Sequence, residues 1–463
     1  MITLKEVLNA TGGTLKGSRI SSFSGISTDS RHINKGDLFI PLTGKKFDGH
    51  KFIGSALKKG ASAALSSRKI KPPKDKAVIY VKDTLEAFHK IARSYKERFN
   101  IPFIGVTGSS GKTTTKDMLA SILSLSGRTL KTEENYNNEI GVPKTLLTLN
   151  KTHKYAVIEM AMQGLGEIEE LAWMTRPDIA VITNIGSAHM EHLKSGNNIA
   201  KAKSETLKFQ TKRNFAILSA DDKYFPYLKK RARGKVVSFG INSPADVTAK
   251  DIRYCSESSS FVIKTKAFQV SIYLPLPGKH NIYDALCAAA SAYALGIKPF
   301  YIKKGLEKFK LSSKRLNIIH FKDIIIIDDT YNANPDSMAA SLGILENYPG
   351  RRIAVLGDMF ELGKIARKSH ENIGRLAANL NIEILITVGK LSKYTAKSAS
   401  RNGLKNVHIT GSNNEAIKTL KKILTTGDTV LIKGSRGMRM EEIATNITRP
   451  ATERRGSIRS RSK

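Results

Sequence analysis

The residues best suited to chemistry stand in a glycine-rich stretch, TGSSGKTTT at 107–115. An apolar run at 103–107 predicts a buried strand before it, and a helical pattern continues through 116–125. A strand, a glycine turn and a helix start together form a phosphate cradle, because backbone N–H groups and the helix N-terminus attract anions. The lysine would reach the β- and γ-phosphates, and the first threonine hydroxyl would ligate Mg²⁺. The candidate residues for a nucleoside triphosphate are Gly108, Ser109, Ser110, Gly111, Lys112, Thr113 and Thr114.

Two other predicted strands end in groups that suit a metal–phosphate site. Glu159 closes the run YAVIE, and His189 follows the run IAVITN. Because the carboxyl ends of parallel strands open onto one edge of a sheet, both side chains are expected beside the phosphate cradle. A carboxylate there would hold Mg²⁺ directly or through water. The histidine would either bind a second ion or hold phosphate oxygens.

Three further polar segments allow more than one interpretation. Lys203 lies among other lysines in an amphipathic stretch at 198–209, and from the residues alone it is a solvated lysine. The asparagines in TEENYNNEIGVP at 132–143 indicate either turns or a cage for a ligand. The segment DDTYNANP at 328–335 directly follows a predicted strand, which is a position typical of ligand-binding loops.

The composition is that of a globular protein, with 40% hydrophobic and 25% charged residues among 463. This length predicts roughly two to four domains. No uninterrupted apolar stretch is long enough for a membrane span, and the first residues do not resemble a signal peptide. Cys255 and Cys287 are the only cysteines. We therefore expect no disulfide framework and a cytoplasmic location.

The net charge of +36, from 76 basic and 40 acidic side chains, would suit nucleic acid, anionic lipid or a polyanionic substrate. The lysines are scattered along the chain, however. The sequence has one tryptophan and no run of interleaved aromatic residues for stacking on bases. We therefore expect solvated lysines and no nucleic-acid partner. The last residues, from Arg449 on, contain almost no apolar side chains and predict a disordered basic tail.

Alternating strand and helix patterns predict an α/β protein of three domains with mostly parallel sheets. Residues 1–98 indicate a small α/β domain, and 99–312 a central ATPase-like domain built on the phosphate cradle. Residues 313–449 indicate a doubly wound, Rossmann-like domain, followed by the basic tail at 450–463. The main strand candidates are 155–160, 179–184, 215–219, 324–328, 352–357, 384–389 and 429–433, with antiparallel strands within 248–276 and a helix at 281–295.

Together these motifs resemble the Mur ligase family, which makes the peptide of bacterial cell-wall precursors. TEENYNNEIGVP, ITNIGSAHMEHL, IAKAKSE, LPGKHNIYDAL and KGSRGMRMEE stand in the family's order, and the match extends to about residue 449. STDSR at 27–31 resembles the family's uridine-diphosphate-binding loop. DDTYNANPDSM and GDMFELG resemble the members that add a D-alanyl-D-alanine dipeptide. The resemblance implies a monomeric, ATP-dependent ligase that joins this dipeptide to UDP-N-acetylmuramoyl-tripeptide through an acyl phosphate.

The resemblance also implies roles for individual residues. Lys112 would contact the ATP phosphates, while Thr113, Glu159 and His189 would hold two Mg²⁺ ions. Lys203 would be carbamylated by CO₂ and so become a metal-associated carboxylate, a role that the residues alone do not indicate. The adenine, phosphate and ribose contacts would be Asn281, Arg315 and Asp329. The uridine nucleotide and its peptide would lie along Ser27, Asp29, Ser30, Arg31, Asn135 and Asn138. The dipeptide would lie along Asn332, Asn334 and the GDMFELG loop.

Two other functions agree with parts of the sequence. A folylpolyglutamate ligase would share the fold, but the STDSR loop and the DDTYNANP segment argue against it. A P-loop ATPase stimulated by nucleic acid would account for the positive charge, but nothing in the chain resembles a base-reading element.

Overall fold

The structure, a computed structural model, describes residues 1–44, 47–310 and 315–448. No helix within these ranges is both long and apolar enough to cross a lipid bilayer. The chain packs as two compact units. The first comprises Met1–Gly105, Gly127–Ala161 and Glu167–Asp178, and the second comprises Val106–Ser126, Met162–Gly166 and everything described after Asp178.

The N-terminal part of the first unit combines a five-stranded sheet and two-stranded sheets with helices. Its strands are β1 (Ile2–Thr3), β2 (Thr14–Gly17), β3 (Ser22–Phe23), β4 (Ile26–Ser27), β5 (Leu38–Phe39), β6 (Thr43–Gly44), β7 (Phe47–Asp48), β8 (Ala63–Ser66) and β9 (Ala77–Tyr80), and its helices are α1 (Leu4–Thr11), α2 (Ile53–Lys58) and α3 (Thr84–Lys96). The order β2-β9-β8-β5-β4 is parallel except between β2 and β9. Alternate side chains face opposite sides, so Leu38 and Ala63 join one apolar core and Phe39 and Ala64 join another.

The central residues form a larger, mostly parallel sheet. Its strands are β10 (Phe103–Thr107), β11 (Thr129–Lys131), β12 (Tyr155–Glu159), β13 (Ile179–Ile182), β14 (Phe215–Ser219), β15 (Lys235–Gly240), β16 (Val247–Tyr254), β17 (Ser259–Lys264) and β18 (Gln269–Leu274). Their order is β11-β12-β10-β13-β14-β15-β16-β17-β18, with β13 to β16 parallel and β16 to β18 antiparallel. The helices are α4 (Lys112–Ser124), α5 (Gly141–Leu146), α6 (Glu167–Thr175), α7 (Met190–Leu193), α8 (Gly196–Ser204), α9 (Phe225–Arg231), α10 (Lys279–Ala294) and α11 (Pro299–Glu307).

The C-terminal part of the second unit is a doubly wound sheet. Its strands are β19 (Asn317–Phe321), β20 (Ile324–Asp328), β21 (Arg352–Gly357), β22 (Ile384–Val388), β23 (Asn406–Thr410) and β24 (Thr429–Lys433), and its helices are α12 (Pro335–Leu345), α13 (Ala366–Asn379), α14 (Ser392–Arg401), α15 (Asn413–Ile423) and α16 (Glu441–Thr448). The order is β19-β20-β24-β21-β22-β23, parallel except for β19. Short 3-10 helices lie at Gly49–Phe52, Glu205–Leu207, Gly363–Ile365 and Arg436–Met438.

This architecture confirms the predicted fold class of α/β domains with mostly parallel sheets. Strands β10, β14, β20, β21 and β24 have the predicted bounds. The antiparallel strands expected within 248–276 are present, and they continue the central sheet at its edge. In the central and C-terminal sheets the sequence analysis misses β11, β15, β19 and β23, which lie at the edges of sheets or carry fewer consecutive apolar residues.

Two expectations concern residues outside the described ranges. The boundary between the second and third predicted domains, at 312, lies within 311–314, and the basic tail at 450–463 lies beyond residue 448. The domain bounds 1–98, 99–312 and 313–449 stay predictions.

Candidate active site

The glycine-rich stretch joins β10 to α4, as the sequence predicts. Gly111 precedes α4 with φ of +78°, and Gly108 has φ of +154°. A Cβ atom at Gly108 would lie 1.8 Å from the hydroxyl oxygen of Thr183, and one at Gly111 would lie 2.1 Å from a carboxyl oxygen of Asp284. Both positions therefore require glycine. The loop leads into a helix N-terminus, whose partial positive charge favours phosphate.

The end of strand β13 holds this loop in place. The backbone N–H groups of Ser109 and Ser110 donate to the O and Oδ1 atoms of Asn184, at 3.1 and 3.0 Å. Thr183 Oγ1 donates to Ser110 O at 2.5 Å. The N–H of Gly186 donates to Ser109 Oγ at 2.9 Å. The chain itself thus fixes the shape of the loop, which reduces the conformational entropy lost on binding a ligand.

Two lysines lie near each other at this loop. Lys112 Nζ donates to Gly108 O at 2.9 Å, and Lys203 on α8 is only 1% exposed. Burial, together with the charge of Lys112, lowers the pKa of Lys203 well below its ordinary value. The solvated lysine expected from the residues alone is therefore wrong, because tertiary packing and not the pattern of neighbouring charges decides its burial. A buried amine with a lowered pKa is a nucleophile, and it can accept CO₂.

Helix α10 carries two buried polar side chains, and one of them, Asp284, lies beside Gly111 of the same loop. Asp284 is buried, and its Oδ1 accepts a hydrogen bond from Thr115 Oγ1 at 3.3 Å. Burial raises the pKa of Asp284 to about 8, although the bond from Thr115 and the charge of Arg315 oppose the shift. Asn281, one turn earlier, is also buried, and its Nδ2 donates to Pro277 O at 2.7 Å. The sequence analysis identifies Asn281 but misses Asp284, whose only signal is an acidic residue in an alanine-rich helix.

His189 lies between β13 and α7, as the sequence predicts. Its φ of +62° is uncommon for a residue other than glycine. Its Nδ1 lies 2.9 Å from Glu361 Oε2, in the GDMFELG loop that follows β21. The hydrogen bond from this imidazole lowers the pKa of Glu361. The predicted metal-binding histidine and a loop predicted to receive the dipeptide are therefore in direct contact, and Glu361 joins the candidate residues.

The segment after β20 contacts the phosphate loop. Asn334 caps helix α12 by accepting the N–H of Ser337 at 2.8 Å, and its Nδ2 donates to Ser110 Oγ at 3.2 Å. Asp336 Oδ2 accepts the N–H and the Oγ of Ser187, at 3.0 and 3.2 Å. Within the second unit, the predicted dipeptide segment therefore lies against the predicted ATP loop. Asp336 is a further residue that the sequence analysis misses.

Asn332 and Asp329 are held mainly by the last residue of β24 and the segment after it. Asn332 Oδ1 accepts the N–H of Arg436 at 3.2 Å, and its backbone O accepts from Lys433 Nζ at 3.1 Å. Asp329 accepts from Ser341 Oγ at 2.7 Å and forms an ion pair with Lys433. Burial favours its neutral form, but the charge of Lys433 and the hydrogen bonds prevail and lower the pKa of Asp329. The acidic group is therefore a carboxylate at neutral pH.

Glu159 belongs to the first unit, with the asparagine loop, which we define as residues 135–140. The Glu159 side chain is 1% exposed, and its Oε1 accepts from Asn137 Nδ2 at 2.8 Å. Asn138 Oδ1 accepts the N–H of Gly141 at 2.9 Å, where α5 begins. Asn135 and Asn138 are exposed. The asparagines thus form turns, and two of them keep surface open to a ligand.

The STDSR loop is also in the first unit and has its own hydrogen-bond network. Arg31 binds the Asp29 carboxylate with Nε and Nη2, at 3.0 and 2.7 Å, and lowers the pKa of that carboxyl. Ser27 Oγ donates to Asp29 O at 3.0 Å, and Ser30 O accepts from Lys59 Nζ at 3.0 Å. These contacts give the loop a fixed shape.

Two of the predicted Mg²⁺ ligands carry oxygen donors of a kind that this ion binds. Among the described residues, no three or more His, Cys, Asp and Glu side chains lie close enough together to hold an ion. Mg²⁺ commonly takes one or two carboxylates and fills its other positions with water and phosphate oxygens. The Thr113 hydroxyl at the start of α4 and the buried Glu159 carboxylate have the required chemistry. Lys203 would provide oxygen ligands only as a carbamate.

The second unit contains most of the predicted site, and the first contains the rest. The members in the second unit are Gly108, Ser109, Ser110, Gly111, Lys112, Thr113, Thr114, His189, Lys203, Asn281, Arg315, Asp329, Asn332 and Asn334. The members in the first are Ser27, Asp29, Ser30, Arg31, Asn135, Asn138 and Glu159.

Comparison with known proteins matches all three parts of the chain. Residues 22–96 match the Mur ligase family catalytic domain, 106–292 the Mur ligase middle domain, and 314–436 the Mur ligase glutamate ligase domain. The UDP-N-acetylmuramoyl-tripeptide--D-alanyl-D-alanine ligase of Bacillus subtilis (strain 168) is 36% identical, over 96% of this chain and 98% of the relative.

Solved structures give the same result. A crystal structure of MurF from Acinetobacter baumannii has a TM-score of 0.92 at 34% identity and covers 96% of this chain and 98% of its own. MurF ligase from Thermotoga maritima in complex with ADP has a TM-score of 0.81 at 28% identity, with 92% and 97% coverage. The sequence matches and the solved folds cover nearly the whole chain, and the phosphate loop agrees with them. This protein therefore belongs to the Mur ligase family.

Proposed function

We propose that this chain is the ATP-dependent ligase that joins D-alanyl-D-alanine to UDP-N-acetylmuramoyl-tripeptide, releasing ADP and phosphate. The observation that carries the proposal is the bond from Asn334 to Ser110, because it sets the segment expected to receive the dipeptide against the loop expected to hold ATP. The name of the Bacillus subtilis relative, which matches along 96% of this chain, supports the same substrates.

The chemistry proceeds in two steps. A tripeptide carboxylate oxygen attacks the γ-phosphorus of ATP, the bond from that phosphorus to the β-phosphate oxygen breaks, and ADP leaves. The free amine of the dipeptide then attacks the acyl carbon of the acyl phosphate, and phosphate leaves as the amine loses its proton. Activation is needed because an unactivated carboxylate would have to expel an oxide ion.

The second unit provides the groups for the ATP step. Lys112 lies at the start of α4 and neutralises charge as the γ-phosphoryl group moves. We assign the adenine to Asn281, and phosphate and ribose contacts to Arg315 and Asp329. Lys433 keeps Asp329 ionised, so its carboxylate can accept a hydrogen bond from a ribose hydroxyl.

We assign Mg²⁺ to Thr113, Glu159, His189 and Lys203, the last as a carbamate. Bound Mg²⁺ would neutralise charge on the phosphate oxygens during transfer. Burial lowers the pKa of Lys203 and so favours the unprotonated amine, which is the form that reacts with CO₂. Two ions and the carbamate are both part of this proposal.

The remaining assignments concern the other substrates. We place the uridine nucleotide at the STDSR loop and the muramoyl-peptide along Asn135 and Asn138. Asn332 and Asn334 receive the dipeptide, beside the loop that carries Glu361. Water would hydrolyse an acyl phosphate, so the contact of Asn334 with the phosphate loop and that of Asp336 with Ser187 help to exclude it. The monomeric state, the cytoplasmic location and the lack of a nucleic-acid partner stay predictions.

The test is phosphate release from ATP with UDP-N-acetylmuramoyl-tripeptide, with and without D-alanyl-D-alanine. We expect release to require both and a UDP-pentapeptide product to be seen by mass spectrometry. Lys112→Ala should abolish release, while Lys201→Ala, which changes an exposed lysine, should not. Release that ignores both substrates and rises with DNA or RNA would instead support the nucleic-acid ATPase.

A further inference from the structure

A buried histidine in the first unit contacts the asparagine loop. His89, on helix α3, is 2% exposed. Its Nε2 lies 2.7 Å from the backbone oxygen of Glu139, inside the loop, and its Nδ1 lies 2.9 Å from Oε1 of Glu170 on helix α6. The imidazole therefore connects one helix of the N-terminal part to a second helix and to the loop.

The two partners determine where the ring protons are. A carbonyl oxygen can only accept, so Nε2 must carry a proton. An ionised carboxylate can also only accept, so Nδ1 must carry one as well. The hydrogen bond from His89 lowers the pKa of Glu170, which keeps that carboxyl ionised at neutral pH. Both ring nitrogens thus face acceptors, and the imidazole satisfies both only with an N–H on each.

The loop that His89 holds has a second fixed point at Glu159. Asn137 Nδ2 donates to Glu159 Oε1 at 2.8 Å, while the next two residues are held by the helix start at Gly141 and by His89. Asn135 and Asn138, which lie in this loop, are exposed. The position of their side chains therefore depends on where the backbone at Glu139 is held.

We propose that His89, as an imidazolium bound to Glu170, is a positioning residue that sets the asparagine loop for the UDP-muramoyl-peptide substrate. The inference rests on the proposed function, since it takes Asn135 and Asn138 as contacts of that substrate. His89 is buried with both ring nitrogens bonded to protein groups, so in this proposal it acts through the loop and not by contact with substrate or ATP. Its loss should therefore weaken binding of one substrate and leave nucleotide binding unchanged.

The kinetic test compares His89→Leu with the full-length wild type. The variant removes both ring donors while keeping an apolar side chain in the space. We expect the KM for UDP-N-acetylmuramoyl-tripeptide to rise roughly tenfold, the effect of losing one charge-assisted hydrogen bond, with kcat and ADP affinity nearly unchanged. His153→Leu is the matched control, because His153 is also buried in the first unit. Among the described residues, its ring bonds only to the N–H of Asn150, within its own turn.

The spectroscopic test stands whether or not the variant folds. Nitrogen-15 NMR of the wild type at neutral pH should show two protonated ring nitrogens for His89. Glu170→Gln should return Nδ1 to an unprotonated acceptor, because the amide N–H of glutamine can donate to it. A wild-type ring with one bare nitrogen would overturn the proposal. So would a folded His89→Leu with an unchanged KM, or one whose ADP affinity falls equally. A wild type that forms no pentapeptide product would instead refute the proposed function and leave the NMR result intact.

Discussion

Replacing Gly111 by alanine tests how tightly the phosphate loop is packed. This glycine precedes helix α4 with φ of +78°, a conformation that costs an L-residue roughly 1–2 kcal/mol. The new methyl group would also lie 2.1 Å from Asp284 Oδ1 and 2.9 Å from its Cγ. Real Cβ atoms do not approach so closely, so either the buried carboxyl or the loop must move.

The backbone cost and the packing cost add to a substantial loss of folding free energy. Overpacking of a well-packed region costs about 1–3 kcal/mol, so the total for Gly111→Ala is about 2–5 kcal/mol. If the loop moves instead of the carboxyl, the cost is expressed in nucleotide binding. A share of about 1.4 kcal/mol would then weaken ADP affinity tenfold.

The assay is calorimetric titration with ADP, together with unfolding in urea. Gly403→Ala is the matched control, because Gly403 has φ of +97° and no atom within 4 Å of the new Cβ position. It should lose only the backbone part of the stability and none of the ADP affinity. Asp284→Ala in the Gly111→Ala background should recover part of the loss. If Gly111→Ala and Gly403→Ala behave alike in both measurements, the packing argument is refuted.

Three further predictions concern neighbouring groups. Because folding raises the pKa of Asp284 from 3.8 to about 8, the folded chain keeps a proton that the unfolded chain has released between those pH values, and the stability that this group confers falls as pH rises. Relative to Asp284→Asn, the wild type should lose up to about 1.4 kcal/mol of unfolding free energy per pH unit, measured by urea unfolding. A difference between the two that does not change with pH would contradict this. The pair Ser110→Ala and Asn334→Ala should show a coupling of about 0.5–1.5 kcal/mol in kcat/KM for the dipeptide, whereas strictly additive effects would mean that the 3.2 Å contact has no role. Lys203→Ala should abolish phosphate release and regain part of it with added short carboxylic acids; full activity without them would exclude a carbamate.

The sequence predicts the strands and the phosphate loop well, because both depend on local signals. Strand β10 and the turn after it combine a continuous apolar run with glycines, and the structure has them where expected. Lys203 shows the limit, since its helix carries lysines at 201 and 203 and only tertiary packing decides which is buried. The sequence does not reveal the roles of Asp284 and His89 for the same reason. Each is an ordinary polar residue in a helix until its partners from distant segments are known. Contacts such as Asn334 with Ser110 join residues 224 positions apart, which no local pattern can reveal.

The buried Lys203 beside Lys112 makes the stability of the fold sensitive to what binds at the phosphate loop. Desolvation and the neighbouring charge both disfavour the ammonium form, so burying this side chain costs folding free energy when no anion lies beside it. Nucleotide bound at the loop, or CO₂ captured by the amine, would favour the folded chain by mass action. Cells depleted of ATP or dissolved CO₂ would then hold a population that opens more often and is cleared sooner by proteases. In this view, the abundance of the enzyme would follow the energy and carbon supply without any dedicated regulator.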